Sequence, residues 1–312
     1  MDVQGFKQIL IIGCGDVGLR VAWQHLRDGH RVTALARSTR SAAAQAVSGI
    51  QTIRADLDDR ATLTALPTAD ACVYYFAPPP LSGERDPRMK NFLHAISDEA
   101  LPARVVLIST SGVYGDCQGA WVSEERAPQP DSERARRRLD AEQQLHAWGV
   151  RHAVAIVILR VPGIYGPGRL PDKRLRAREP VLHEAQSPWS NRVHIVDLVR
   201  ACLAAGERGQ AGAVYNISDG NPSTMTDYFN CVADALGLER PPQISFAQAR
   251  AELSAGMQSY LAESKRLDSR RMREELGVVP QYPDLRSGLM ACLEDDVISK
   301  TEQRPPRATG EG

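Results

Sequence analysis

The first half of the chain alternates short, unbroken apolar runs with stretches of helical periodicity. "QILIIG" (Gln8 to Gly13) predicts a buried strand, and "DVGLRVAWQHLRDG" a helix stopped by Gly29. "HRVTALAR" predicts a second strand, "SAAAQAVSG" a helix, "IQTIRADL" a third strand, and "ACVYYFAP" a fourth, closed by Pro78, Pro79 and Pro80. "MKNFLHAISDEA" has helical spacing, "ARVVLIST" predicts a fifth strand, "SERARRRLDAEQQL" (Ser132 to Leu145) a helix, and "VAIVILRV" a sixth strand. Continuous Val/Ile/Leu runs separated by helices predict a parallel sheet covered on both faces, the doubly wound α/β arrangement.

After Pro162 the pattern changes: loops lengthen, Pro and Arg increase, and strands become sparse. "AGAVYNIS" predicts a late strand, and "TMTDYFNCVADALGL" and "SRRMREELG" predict helices. The expected organisation is a nucleotide-binding domain over 1–165 plus about 190–218, with a small substrate lobe, interleaved with it, over about 166–189 plus 219–298. "SKTEQRPPRATGEG" (299–312) is polar and rich in Pro and Gly, the composition of a disordered tail.

Composition narrows the partners. With 43% hydrophobic and 24% charged residues and a formal net charge of zero, nothing points to nucleic acid or an anionic membrane surface. Six cysteines are scattered without a C-x-x-C pair, which predicts reduced thiols in a cytoplasm, with neither a disulfide frame nor a metal site. "AVAIVIL" (Ala153 to Leu159) is the longest apolar run, well short of the ~18 residues of a membrane span. "LIIGC" looks like a lipoprotein box, but the apolar run before it is too short for a signal core of ~7–15 residues. A soluble cytoplasmic protein with a small-molecule substrate is expected.

The first chemical motif is "GCGDVG" (Gly13 to Gly18), a G-x-G-x-x-G directly after a strand and opening a helix. Gly13 permits a tight turn, Gly15 lets backbone approach a pyrophosphate, and Gly18 allows close helix–sheet packing. Gly13, Gly15, Asp16, Val17 and Gly18 are therefore expected cofactor contacts, at a helix N-terminus that favours anions. At the end of the second strand, where an NAD site wants a carboxylate for the ribose 2′-OH, the chain has Arg37 and Ser38. A guanidinium there favours a 2′-phosphate, hence NADP over the alternative NAD, although Arg37 stacked on adenine or facing solvent fits the same residues. Asp56, after the third strand, is placed to reach the adenine edge or to cap a helix.

Several further motifs then match one family. "ISTSGVYGD" (Ile108 to Asp116), "LRVPGIYGPGR" (Leu159 to Arg169), "NRVHIVDLVRA" (Asn191 to Ala201) and "VYNISDG" occur in the order found in the extended short-chain dehydrogenases/reductases, the group of nucleotide-sugar epimerases and dehydratases, which this chain resembles over most of its length. The resemblance implies a Rossmann domain with an interleaved substrate lobe, and a homodimer through the helices after strands four and five, which the arginine content of the latter helix opposes. It also implies that Thr110, three residues before the Val of the V-Y-G motif, hydrogen-bonds a substrate oxygen.

The family's acid/base pair is a Tyr and a Lys spaced Y-x-x-x-K on the next helix. A phenol with pKa near ~10 works at neutral pH only beside a cation that stabilises its anion. That helix usually ends close to K-L-x-A-E, and here it ends "RLDAE", which puts Arg138 at the lysine's place and Arg134 at the tyrosine's. No Y-x-x-x-K occurs in the 312 residues. This departure is similar to an atypical bacterial subgroup that keeps the cofactor fold without the catalytic tyrosine.

Arg138 can still bond ribose hydroxyls. Arg134 stays protonated and cannot relay a proton, but it can hold an anionic group bidentately. Replacement acid/base candidates are Tyr114 and Tyr165, with weaker cases for Tyr74, Tyr75 and His194, and Cys117 has a weak case as a nucleophile. Arg136 and Arg137 read as solvated charges, with Glu133–Arg137 and Arg138–Glu142 pairs at helical spacing. "PDKRLRARE" (Pro171 to Glu179) reads equally as a phosphate contact or a solvated loop. Three readings stay open: an NAD(P)-dependent oxidoreductase or epimerase-like enzyme, acting on a carbonyl or nucleotide-sugar-type molecule through a non-standard site; an inactive NADP(H)-binding regulatory or redox-sensing protein; and a relic of the fold whose cofactor site is empty, against which the intact glycine loop argues.

Overall fold

The computed structural model describes residue 6, residues 8–252, residue 258 and residues 261–302. Seven strands form one parallel sheet: β1 (Ile9–Ile12), β2 (Val32–Ala36), β3 (Gln51–Arg54), β4 (Cys72–Tyr75), β5 (Arg104–Thr110), β7 (Ala155–Val161) and β12 (Val214–Asn216). Their order is β12-β7-β5-β4-β1-β2-β3, so the direction of winding reverses between β1 and β4. Alternate residues of each inner strand enter opposite apolar layers, which is why the strands read as unbroken apolar runs. Ile9 and Ile11 pack with Val21 and Ala22 of α1 (Asp16–Arg27) and Leu198 and Ala201 of α6 (Ile195–Arg208). Leu10 and Ile12 pack with Met89 and Phe92 of α3 (Pro87–His94) and Ala141 and Leu145 of α4 (Glu133–His152).

Element boundaries follow local capping. α3 starts two residues earlier than its apolar spacing suggests, because the Asp86 carboxylate accepts from Arg88 N and Met89 N, with Pro87 in the first turn. α4 runs to His152, well past Leu145, and stops where Ala153 takes a left-handed φ of 54°. β3 is an edge strand and only partly covered, so just the centre of its predicted run is paired.

Beyond Pro162 the strands are more numerous than the sequence pattern suggests, but each is two or three residues long. β10 (Trp189–Ser190) pairs with β13 (Ser223–Thr224), β11 (Arg192–His194) with β8 (Gly163–Tyr165), β14 (Gln243–Ile244) with β9 (Val181–Leu182), and β15 (Arg266–Leu267) with β6 (Trp121–Val122). Ladders this short carry no readable period. A separate core joins Tyr165, Leu175 of α5 (Asp172–Arg176), Phe229 and Val232 of α7 (Met225–Ala235), and Leu289. The helix Leu285–Glu302 takes in residues 299–302 of the stretch expected to be disordered, and 303–312 lie outside the described residues.

Candidate active site

The phosphate loop follows β1. Gly13 has a φ of 92°, and a Cβ there would lie 2.4 Å from Ala77 N. A Cβ on Gly18 would lie 2.9 Å from Gly13 O. Packing thus demands glycine at both positions. A Cβ on Gly15 would meet nothing within 4 Å, and Gly15 caps α1 with no side-chain hydrogen bond. A helix N-terminus with free N–H groups and open space over the middle glycine fits a pyrophosphate. Asp16 accepts from Arg20 Nε at 2.8 Å and from Arg169 Nε at 2.6 Å. Burial pushes its carboxyl up, but the two arginines outweigh this and hold it below the usual range. Its carboxylate therefore ties the loop to the segment after Tyr165. Val17, in the first turn of α1, packs against the core.

A second cavity of about 200 Å³ opens at the ends of β1, β2 and β3 and is lined by Gly13, Leu35, Arg37, Asp56, Ala77 and Arg88 among others. Its place beside the glycine loop suits the adenosine half of a dinucleotide. Ser38 is occupied differently: it caps α2 (Thr39–Val47), its hydroxyl accepting from Ser41 N at 3.2 Å. Asp56 caps no helix, since that role falls to Asp59 over the turn Arg60–Thr62. Arg88 grips Asp58 through Nε at 2.7 Å and Nη2 at 2.6 Å and also donates to Pro78 O, fastening the loop after β3.

The arginine helix α4 divides its charges by position. Arg134 lines the main cleft. Arg138 donates to Ala77 O at 3.1 Å, and its burial lowers its pKa while Asp86 opposes that. Arg137 is not a solvated charge: it is 5% exposed and donates to Gly83 O, with Glu133 3.5 Å away. The loop around Gly83 covers that turn. The Arg138–Glu142 pair does not form, because Glu142 turns to Arg160.

The main cleft, about 370 Å³, opens at the C-terminal end of β5. Thr110, Ser111 and Gly112 form its floor, with Arg134 at one side. Thr110 Oγ1 accepts from Gly112 N at 3.2 Å. The opposite wall carries Arg174 over the Phe229 ring at 4.9 Å and Arg192 over the Tyr228 ring at 4.2 Å, with Trp189, Glu263 and Lys265. Arg174 places the "PDKRLRARE" segment on the cleft.

None of the replacement acid/base candidates lines this cleft. The Tyr114 hydroxyl donates to Asn216 Oδ1 at 2.8 Å, and burial pushes its pKa up. The Tyr165 hydroxyl donates to Asp284 O at 3.3 Å, and burial again raises it well above the ordinary value. Tyr74 and Tyr75 are fully buried in β4, Tyr74 against His25. His194 caps α6, its Nδ1 accepting from Val196 N at 3.4 Å. The Cys117 thiol is buried on Tyr114 O and pushed up by that burial. These side chains hold the loops that shape the site and are not exposed to it.

Sequence reasoning missed Glu263 and Lys265, which lie in a charged stretch without a motif, and Trp189, two residues before the quoted "NRVHIVDLVRA" segment. Among the described residues no group of three or more His, Cys, Asp or Glu could hold a metal ion, and no helix is long and apolar enough to cross a membrane.

A parallel sheet that reverses at β1/β4, with a glycine-lined helix N-terminus at the reversal, defines a Rossmann-type dinucleotide-binding protein. The chain belongs to the NAD dependent epimerase/dehydratase family, whose model matches residues 9–218. Protein YeeZ of Escherichia coli strain K12 is 29% identical over 286 residues, covering 89% of this chain and 97% of its own. The structure of a functionally unknown conserved protein from Silicibacter pomeroyi is 29% identical with a TM-score of 0.79, covering 93% of this chain and 99% of that one. MoeE5 in complex with UDP-glucuronic acid and NAD is 26% identical with a TM-score of 0.71, covering 94% of this chain and 99% of that one.

Proposed function

We propose that the protein is an NADP-dependent oxidoreductase or epimerase-like enzyme acting on an anionic, hydroxyl- or carbonyl-bearing small molecule of the nucleotide-sugar type. The observation that carries this reading is the cleft itself. It joins Thr110 at the end of β5 to four cations, Arg134, Arg174, Arg192 and Lys265. Cationic forks suit a diphosphate or carboxylate. Trp189 and Ile164 supply apolar surface for a base or sugar face.

When bound, the nicotinamide would supply reversible hydride exchange. The backbone from Gly13 to Gly18 would hold its pyrophosphate, Arg37 the 2′-phosphate, Asp56 the adenine edge and Arg138 a ribose hydroxyl. Thr110 would donate to the reacting substrate oxygen. The free state of all six cysteines supports a reducing, cytoplasmic setting.

Arginine at the tyrosine's place supports the second reading, a regulatory NADP(H)-binding protein. One experiment separates the two. NADPH and NADH are titrated by fluorescence, and UDP-glucose, UDP-glucuronic acid and dTDP-glucose are then offered with either oxidised cofactor while 340 nm absorbance and products are followed. Tighter binding of NADPH, and turnover lowered by Thr110→Ala, is the expected result. Saturable cofactor binding without turnover of any sugar nucleotide favours the regulatory reading, and no saturable binding of either nucleotide sinks both.

A further inference from the structure

Glu263 and Lys265 line the cleft from the loop that leads into β15. Their backbone is fastened on both sides. Cys117 N and Gly119 N donate to Ser264 O at 3.1 and 2.9 Å, Ser264 N donates to Asp116 Oδ1 at 2.9 Å, and Asn191 Nδ2 donates to Lys265 O at 3.0 Å. The β15–β6 ladder then locks the register at Arg266 opposite Trp121.

Lys265 Nζ lies 2.7 Å from Glu263 Oε2, and the two side chains are only 6% and 9% exposed. Glu263 Oε1 is buried with no hydrogen-bond partner among the described residues. A Cβ built on Gly112 would sit 3.5 Å from Thr110 Oγ1 and 3.6 Å from Glu263 Oε2, so the carboxylate and the threonine hydroxyl border one small volume over the floor of the cleft. Arg134 lines the same cleft.

A buried ion pair is a poor source of stability, and a buried carboxylate oxygen without a donor costs more still. Such an oxygen beside a polar cleft needs a donor from a ligand. A hydroxyl held by Thr110 meets that need.

We propose that Glu263 is the proton-transferring group of this site, with Lys265 as its positioning partner, in place of the tyrosine that the chain lacks. The inference rests on the reading of the cleft as an active site. In the oxidative direction the substrate O–H bond would break with its proton passing to the Glu263 carboxylate, and the adjoining C–H bond would give up its hydride, for which a bound oxidised nicotinamide would be the acceptor, as the C=O bond forms. In the reductive direction the proton returns from Glu263 to the oxygen as the hydride arrives at carbon. Lys265 lies beside the carboxylate, Arg134 from α4, Arg174 from α5 and Arg192 from β11 line the same cleft, and Asp116 accepts from the backbone of Ser264 between the two.

The test uses the full chain with NADP⁺ or NAD⁺ and the same three sugar nucleotides. Glu263→Gln is expected to lower kcat about 10²–10⁴-fold, with NADPH affinity unchanged by fluorescence. Glu263→Ala is expected to weaken binding of the recognised sugar nucleotide about tenfold or more, read from Trp189 fluorescence without any turnover. Lys265→Met is expected to lower kcat while leaving NADPH affinity unchanged, because the ammonium that holds Glu263 Oε2 in place is gone. Glu263→Asp keeps part of the activity, which separates lost chemistry from lost folding. A Glu263→Gln enzyme within twofold of the parent kcat, or Glu263→Ala with unchanged ligand affinity, overturns the proposal. If no sugar nucleotide binds the parent protein at all, the reading of the cleft falls first, and this inference falls with it.

Discussion

Arg160 Nη2 lies 2.7 Å from Glu142 Oε2, with both side chains almost fully buried. Ser109 donates to the same carboxylate, so β5, β7 and α4 converge on one acidic group. The Arg160 guanidinium also sits 4.7 Å over the Tyr114 ring. Removing one partner of a buried pair strands the other charge. Glu142→Gln should therefore cost about 3–5 kcal/mol of stability in urea unfolding. Glu142→Leu combined with Arg160→Met should recover most of that loss. Strictly additive single and double variants would mean that the two groups are not coupled.

Two glycines of the phosphate loop, Gly13 and Gly15, should respond unequally. Gly13→Ala forces a Cβ against Ala77 N at 2.4 Å and a side chain into a φ of 92°. It should lower the thermal midpoint and abolish cofactor binding. Gly15→Ala meets nothing within 4 Å, so the midpoint should hold while NADPH affinity drops about tenfold or more. Differential scanning fluorimetry and a fluorescence titration check the pair. Equal loss of stability in both variants would refute the assignment of Gly15 to the ligand.

Arg37 is the only arginine other than Arg88 that lines the smaller cavity among the described residues, and Arg88 is committed to Asp58. Arg37→Ala should weaken NADPH about 10–100-fold, the worth of a charged hydrogen-bonded contact, and leave NADH nearly unchanged. A parallel loss for both nucleotides would instead indicate stacking on the adenine ring.

Asp219 is buried, its Oδ2 without a hydrogen-bond partner, and burial pushes its carboxyl from the ordinary 3.8 up to about 7. A raised folded-state pKa means that the native state holds more protons than the unfolded chain between those values. Stability should then fall as pH rises through that window and stay low above it. Asp219→Asn removes this dependence, so its advantage over the parent should grow from pH 5 to pH 8, up to about 4 kcal/mol. Urea midpoints at the two pH values read it directly, and a pH-independent difference would contradict the burial effect.

The strands that position the site were legible because burial on both faces leaves an unbroken apolar run, as in Ile9 to Ile12. The glycine loop was legible because G-x-G-x-x-G falls within one strand–turn–helix unit, although what forbids a side chain at Gly13 is Ala77, beyond the end of β4. Arg137 was misread because helical spacing to Glu133 is local, whereas its burial comes from the loop around Gly83, which no periodicity along α4 reports. Tyr114 and Tyr165 looked available from their motif positions, but their hydroxyls are spent on Asn216 and on Asp284 O, both far along the chain.

The sequence by itself determined the doubly wound sheet, the glycine loop between β1 and α1 and the absence of any Y-x-x-x-K stretch, because each is written in neighbouring residues. Only the tertiary structure decided which groups share the cleft. Glu263 stands more than a hundred residues from Thr110 and Arg134, and meets them through two-residue ladders and loop hydrogen bonds that leave no pattern in a linear chain.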